Sequence, residues 1–131
     1  MPSETPCKIV LIDDLADYTQ ILKKVLELDG HTVFVANDSK AGLALMRQLR
    51  PDAAFIDIGL PELDGYALVK RLRAEGSRSF IVALTAYGGD RTKMRAIESG
   101  FDRHILKPLL PDERRDVTRL AVERASKANY N

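Results

Sequence analysis

The feature that most constrains the fold is a regular alternation of short apolar runs and amphipathic segments. Five apolar runs occupy residues 8–12, 31–36, 53–56, 80–84 and 104–106. The segment after each run carries apolar residues at helical spacing. The runs KIVLI and FIVAL lack polar alternation, as expected for strands covered on both faces. The alternation predicts an α/β domain in which a parallel sheet has helices on both faces.

Turn-forming and capping residues mark where the helices begin and end. Asn37, Asp38 and Ser39 are candidate N-caps of the second helix and Asp64 opens the third, while Gly30, Gly76 and Gly100 follow helical segments as stops. On the first helix the spacing predicts an apolar face made of Tyr18, Ile21, Leu22, Val25 and Leu26.

The fourth helix differs from the others. Its apolar face is thin, mainly Met94, Ala96 and Ile97, and it begins after the pair Gly88-Gly89. Few buried contacts and a glycine entrance imply low local stability. We expect this helix to move most when the protein changes state.

Length and composition limit the domain organisation and the function classes. We expect one domain over residues 7–125, with a polar tail at 1–6 and a frayed tail at 126–131. The formal net charge is +1, which argues against direct nucleic-acid binding. The single cysteine, Cys7, excludes an internal disulfide and a Cys-rich metal site. No signal peptide or membrane-spanning run is evident, so we expect a cytoplasmic protein without membrane insertion.

Chemically active side chains follow four of the five predicted strands. Asp13 and Asp14 follow the first strand, Asp57 the third, Thr85 the fourth and Lys107 the fifth. In an open parallel sheet the carboxyl ends of the strands meet at one edge, where ligands bind. Each residue alone is compatible with a turn or a helix cap. Their joint placement favours a functional site.

These residue types permit one kind of chemistry in particular. Two carboxylates 4 Å apart repel by about 4 kcal/mol at an effective dielectric constant near 20, so the cluster favours a bound cation. Carboxylate oxygens are ligands for Mg²⁺, or Mn²⁺. A metal and an ammonium group together stabilise a transferring phosphoryl group, and a carboxylate can be the nucleophile. The residues therefore permit metal-assisted phosphoryl transfer onto an aspartate.

Four motifs resemble the receiver domains of two-component response regulators. They are VLIDD at 10–14, DIGLPELDG at 57–65, ALTA at 83–86 and KP at 107–108. The resemblance runs from about residue 8 to residue 122. It implies a flavodoxin-like, doubly wound sheet of five parallel strands in the order 2-1-3-4-5.

The resemblance also implies a role for each site residue. Asp57 would accept a phosphoryl group from a histidine kinase or a histidine phosphotransfer protein. Asp14, Asp57 and the backbone carbonyl of Gly59 would bind Mg²⁺, and Asp13 would act largely through water. Thr85 and Lys107 would bind the phosphoryl group, and the Lys107-Pro108 peptide bond would be cis.

Position 104 departs from the commonest family pattern, which has Tyr or Phe three residues before the lysine. His104 is either a switch residue or a strand residue that faces solvent or a neighbouring helix.

Apolar residues near the rim of the site are also open to two interpretations. Leu15 and the pair Leu109-Leu110 either dock a four-helix phosphodonor or pack in the core, with core packing favoured more for Leu110 than for Leu15.

The leading functional hypothesis is a phosphorylation switch that signals through the face of the fourth helix and fifth strand to an unknown protein. It would catalyse only its own phosphorylation and dephosphorylation. We expect no output domain in this chain, which is either a stand-alone regulator or the receiver of a hybrid histidine kinase. The alternative is a metal-dependent phosphatase with an aspartyl nucleophile, although that class usually carries D-x-D after its first strand. A flavin electron carrier would need a phosphate-binding loop where Asp13 and Asp14 stand.

Overall fold

The computed structural model describes residues 5–129, with side chains to residue 127. The strands are β1 (Lys8–Ile12), β2 (Thr32–Ala36), β3 (Ala53–Ile56), β4 (Phe80–Thr85) and β5 (Arg103–Leu106). The helices are α1 (Ala16–Leu28), α2 (Ser39–Leu49), α3 (Gly65–Ala74), α4 (Asp90–Ser99) and α5 (Pro111–Asn129). All strand pairs are parallel and the order is β2-β1-β3-β4-β5, which confirms the predicted doubly wound sheet.

The sheet separates two apolar layers. On β1, Val10 and Ile12 face the layer that contains α2, α3 and α4, whereas Ile9 and Leu11 face the layer that contains α1 and α5. Both sides of this central strand are therefore buried. This explains why the central strands lack polar alternation.

The predicted capping residues act at five helix ends: Asp38, of the three candidates before α2, and Asp64 cap helix starts, and Gly30, Gly76 and Gly100 all have positive φ after helices. The Asp38 side chain accepts a hydrogen bond from the Ala41 N–H (2.7 Å), and the Asp64 side chain accepts one from the Ala67 N–H (2.9 Å). Gly100 ends α4 in the left-handed conformation, with φ at 119°. These local interactions fix where α2 and α3 begin and where α4 ends.

The structure differs from the predicted helix faces in two places. Ile21 is exposed, because α1 contacts the sheet through a narrower stripe that includes Leu22 and Leu26. On α4, Met94 and Ile97 are exposed, because the small residues Ala96 and Ser99 make the buried contact.

Element boundaries shift slightly from those predicted. β2 begins at Thr32 and β5 at Arg103, one residue later and one earlier than expected. Helix α5 continues past residue 125, where we expect the polar tail to begin, as far as Asn129. Residues 1–4 and 130–131 of the expected tails lie outside the described residues. Among the residues that are described, no helix has the length and apolar character needed to cross a membrane.

Candidate functional site

Three carboxylates meet at the carboxyl edge of the sheet, as predicted. Asp13 follows β1 and Asp57 follows β3, and the Asp57 N–H continues the strand ladder by donating to the Ile12 carbonyl (2.9 Å). Asp13, Asp14 and Asp57 each offer a carboxylate oxygen within 4.8 Å of the others. Asp13 and Asp57 are buried and Asp14 is exposed, so the cluster opens to solvent on the Asp14 side.

Lys107 brings its ammonium group into this cluster from the end of β5. Its Nζ lies 2.5 Å from Asp13 Oδ2 and 3.5 Å from Asp57 Oδ2. The Lys107 N–H donates to the Thr85 carbonyl (2.9 Å), and the peptide bond to Pro108 is cis, as the resemblance implies. The acidic and basic groups predicted to converge are therefore in contact.

Burial and charge act on the protonation of this pair in different ways. Burial raises the pKa of Asp13, and the hydrogen bond from Lys107 only partly offsets that effect. For Lys107, burial acts to lower the pKa, but the hydrogen bonds and charges of Asp13 and Asp57 outweigh it and the pKa is raised. The ammonium group is therefore charged at neutral pH and balances part of the carboxylate charge.

Contacts with two glycines position the side chain and the backbone of Asp57. Its Oδ1 accepts a hydrogen bond from the Gly59 N–H (3.2 Å), while its Oδ2 faces Lys107. At Gly65, the first residue of α3, an added Cβ would lie 2.6 Å from the Asp57 carbonyl oxygen. A glycine is required there, because α3 begins directly against the backbone that presents the carboxylate.

Thr85 and His104 are linked through the residue between them, Tyr87. Thr85 is completely buried, and its Oγ1 accepts a hydrogen bond from the Tyr87 N–H (3.2 Å). His104 Nε2 lies 3.0 Å from the Tyr87 carbonyl oxygen, so a protonated Nε2 donates to it. His104 is half-buried and faces the loop between β4 and α4; it is not a freely solvated strand residue.

The structure adds Tyr18 to the surroundings of the site. Its ring lies 5.2 Å from Lys107 Nζ, and its hydroxyl accepts a hydrogen bond from the Leu109 N–H (3.1 Å). The sequence assigns Tyr18 only to the apolar face of α1. No signal in the sequence pairs it with Lys107, because the two are distant along the chain.

The apolar residues at the rim divide between core and surface. Leu109 is buried, whereas Leu110 is 55% exposed and Leu15 is 54% exposed. Core packing is therefore wrong for Leu110, because its neighbour Leu109 takes the inward position. Leu15 and Leu110 are therefore surface residues, and Leu109 belongs to the core.

The donor set fits a small divalent cation. Carboxylate oxygens on a partly open rim are the ligands that Mg²⁺ accepts, since it usually binds one or two carboxylates and keeps several waters. The described residues with metal-binding potential here are the three aspartates; both histidines are elsewhere or engaged with backbone groups.

Comparison with known proteins gives a consistent result. The family model described as the response regulator receiver domain matches residues 9–119. A "Probable transcriptional regulator ycf27" of Guillardia theta is 33% identical over 128 residues, which are 98% of this chain and 50% of that protein. An "Uncharacterized 14.6 kDa protein in sodA1 3'region" of Leptolyngbya boryana is 35% identical over 107 residues, 80% of this chain and 82% of that one.

Solved structures agree with the sequence comparison. The receiver domain of the Francisella response regulator 1452 is 29% identical, with a TM-score of 0.84 over 91% of this chain and 98% of that one. The chain spans about half the length of the first curated relatives it matches. With an acidic cluster, a buried threonine and a lysine at one edge of a 2-1-3-4-5 sheet, the chain belongs to the response regulator receiver domain family of two-component signalling.

Proposed function

We propose that Asp57 accepts a phosphoryl group from a phosphohistidine of a histidine kinase or a histidine phosphotransfer protein. The observation that carries the proposal is the Lys107 ammonium, 3.5 Å from Asp57 Oδ2, within a partly open group of three carboxylates. In the transfer, an Asp57 carboxylate oxygen forms a bond to phosphorus and the P–N bond breaks. The bonding electron pair stays on the imidazole nitrogen, which takes up a proton.

The residues around Asp57 would bind the cation and neutralise charge on the phosphoryl group. Asp13, Asp14, Asp57 and the Gly59 carbonyl would hold Mg²⁺ or Mn²⁺, and that cation would supply positive charge for the phosphoryl oxygens. Lys107 would neutralise further negative charge on the phosphoryl group, since it already contacts Asp13 and Asp57. The arrangement suits phosphoryl transfer because catalysis of that reaction is mainly positioning and charge stabilisation.

The hydrogen bonds of Tyr87 support a route from phosphorylation to the surface. A new phosphoryl oxygen would accept a hydrogen bond from the Thr85 hydroxyl and draw it toward Asp57. That movement competes with the bond from the Tyr87 N–H to Thr85 Oγ1, and the Tyr87 carbonyl is itself held by His104. The loop before α4 then rearranges, so α4 and β5 form the signalling face.

The proposal also covers the surface that contacts the phosphodonor, the cellular location and the output of the protein. Leu15 and Leu110, both exposed at the rim, would contact the phosphodonor. The protein would act in the cytoplasm as a switch that catalyses only its own phosphorylation and dephosphorylation, and would signal to a downstream protein without contacting nucleic acid or inserting into a membrane.

The test is incubation with acetyl phosphate and Mg²⁺, followed by intact-mass measurement. We expect one added phosphoryl group that hydroxylamine removes, as for an acyl phosphate. Asp57→Asn should abolish the gain, whereas Asp112→Asn, a change at a side chain 95% exposed, should not. A gain that persists in Asp57→Asn, or none in the wild type, contradicts the proposal. Continuous turnover of phenyl phosphate would instead indicate a phosphatase.

A further inference from the structure

A groove of about 530 Å³ lies at the edge of the sheet opposite the aspartate cluster. It is formed by the carboxyl ends of α2 and α3, the residues just before β3 and β4, and part of α5. None of the residues that line it belongs to the site around Asp57. Its volume is within the range of small-molecule binding sites, about 300–1,000 Å³.

The groove is lined with an excess of positive charge. Four arginines contribute to it, against the carboxylates of Asp52 and Glu75. Arg47 forms an ion pair with Glu75, and Arg124 forms one with Asp102 outside the groove. Arg50 and Arg78 have no ion-pair or hydrogen-bond partner for their side chains among the residues that the structure describes. Two guanidinium groups are thus available to a ligand.

The backbone at Arg50 provides a second, independent observation. Arg50 ends α2 in the left-handed conformation, with φ at 43° and ψ at 63°. Glycine is the usual residue in this position, and a larger side chain there costs on the order of 1 kcal/mol. The chain thus places an arginine where the backbone favours glycine, and that arginine lines the groove. Strained residues of this kind concentrate at binding sites.

We propose that this groove binds a small phosphate monoester with an apolar body. Arg50 and Arg78 have planar guanidinium groups whose N–H donors match the oxygens of a dianionic phosphate. Each guanidinium group can bind such a phosphate through two parallel hydrogen bonds. Met46, Leu72 and Ala121 lie at the floor of the groove, where each is 3% exposed or less, and the aliphatic stems of the arginines around them add apolar surface for the rest of the ligand. Both parts of the groove are occupied only when the ligand combines a dianion with an apolar group.

The test uses phenyl phosphate as the probe, titrated into the isotope-labelled protein in EDTA buffer and followed by amide chemical shifts. We expect saturable shifts at residues 46–52 and 75–79, with inorganic phosphate binding at least about tenfold more weakly and phenol producing none. The double variant Arg50→Gly and Arg78→Ala should lose at least about tenfold in affinity. The matched control Arg91→Ala, an exposed arginine on α4, should bind as the wild type does.

Urea unfolding of the variants shows whether a loss of binding results from the missing side chain or from a less stable fold. Arg50→Gly should unfold at the same or a higher urea concentration than the wild type, because glycine suits the left-handed backbone. Lost binding in a variant of undiminished stability supports the proposal. Shifts confined to the Asp57 site, shifts that do not saturate, or equal affinity of the double variant would overturn it. The EDTA buffer and the location of the shifts keep this result distinct from phosphorylation of Asp57.

Discussion

At the scale of single residues, Lys107 is the side chain on which the site's charge balance depends. Its side chain is 12% exposed, and the two carboxylates that it contacts are more buried, at 7% for Asp13 and 11% for Asp57. Burying like charges together is costly unless a cation accompanies them. The same ammonium that would stabilise a phosphoryl group therefore also holds the unphosphorylated site together.

We expect Lys107→Met to lower the free energy of unfolding by about 3 kcal/mol in Mg²⁺-free buffer, because it leaves Asp13 and Asp57 buried without their cation. Urea unfolding monitored by circular dichroism measures the change. Lys70→Met, at an exposed position on α3, should alter stability by less than about 0.5 kcal/mol.

Added Mg²⁺ should stabilise the Lys107→Met variant more than the wild type, since the metal replaces the missing positive charge. A variant as stable as the wild type without metal would contradict the role of Lys107 in charge balance. A destabilised variant that fails to respond to Mg²⁺ would contradict the metal site instead.

At the scale of elements, α3 and α4 show how packing sets local stability. Both helices are ten residues long. Helix α3 buries five residues, has an Asp64 cap and is tied to β4 and α5 through Asp102, which pairs with Arg73 and Arg124 and accepts a hydrogen bond from the Ile81 N–H. Helix α4 buries only Ala96 and Ser99, and no side chain caps its beginning.

Amide hydrogen exchange should therefore be faster in α4 than in α3, by at least about tenfold, which is a difference in local opening of about 1.4 kcal/mol. Mass spectrometry of peptides covering each helix provides the measurement, and the equal lengths make α3 an internal control. Phosphorylation should change exchange in α4 more than in α3. Equal protection of the two helices would show that the thin apolar face does not weaken α4.

At the scale of the whole molecule, buried polar groups connect distant parts of the chain. His31 is buried, and its Nδ1 accepts a hydrogen bond from the Cys7 N–H (2.9 Å). Burial lowers the pKa of His31; Asp29 opposes the shift and Arg114 adds to it. Because the folded protein disfavours the charged imidazole, His31 has no effect on the pH dependence of the free energy of unfolding well above pH 6.5. As the pH falls below 6.5, His31 lowers that free energy, since the unfolded chain takes up the proton more readily.

The pH effect of His31 can be isolated with a variant that has no ionisable ring at this position. Between pH 7.5 and 5.5 we expect the wild type to lose more stability than His31→Asn does, by up to about 1.4 kcal/mol, because His31 of the unfolded chain takes up a proton that the buried ring disfavours. Urea unfolding at both pH values is the measurement, and a decrease of the same size in His31→Asn would rule out His31 as the source.

The sequence by itself determined the order of elements, the sheet and the residues at its carboxyl edge. Those features follow from local signals, because apolar runs, capping residues and residues that follow a strand are read from neighbours in the chain. The strand order and the roles of individual site residues came from resemblance to a family. The cis bond between Lys107 and Pro108, expected on the same ground, is present.

Only the tertiary structure decided which apolar residues are buried and which side chains meet. Ile21, Met94 and Ile97 have helical spacing suited to a core face but are exposed, because the width of each contact depends on the element packed against it. The contact between Lys107 and Tyr18 and the basic groove at the opposite edge join residues distant in sequence. Such contacts arise from the closing of the fold, and no local pattern encodes them.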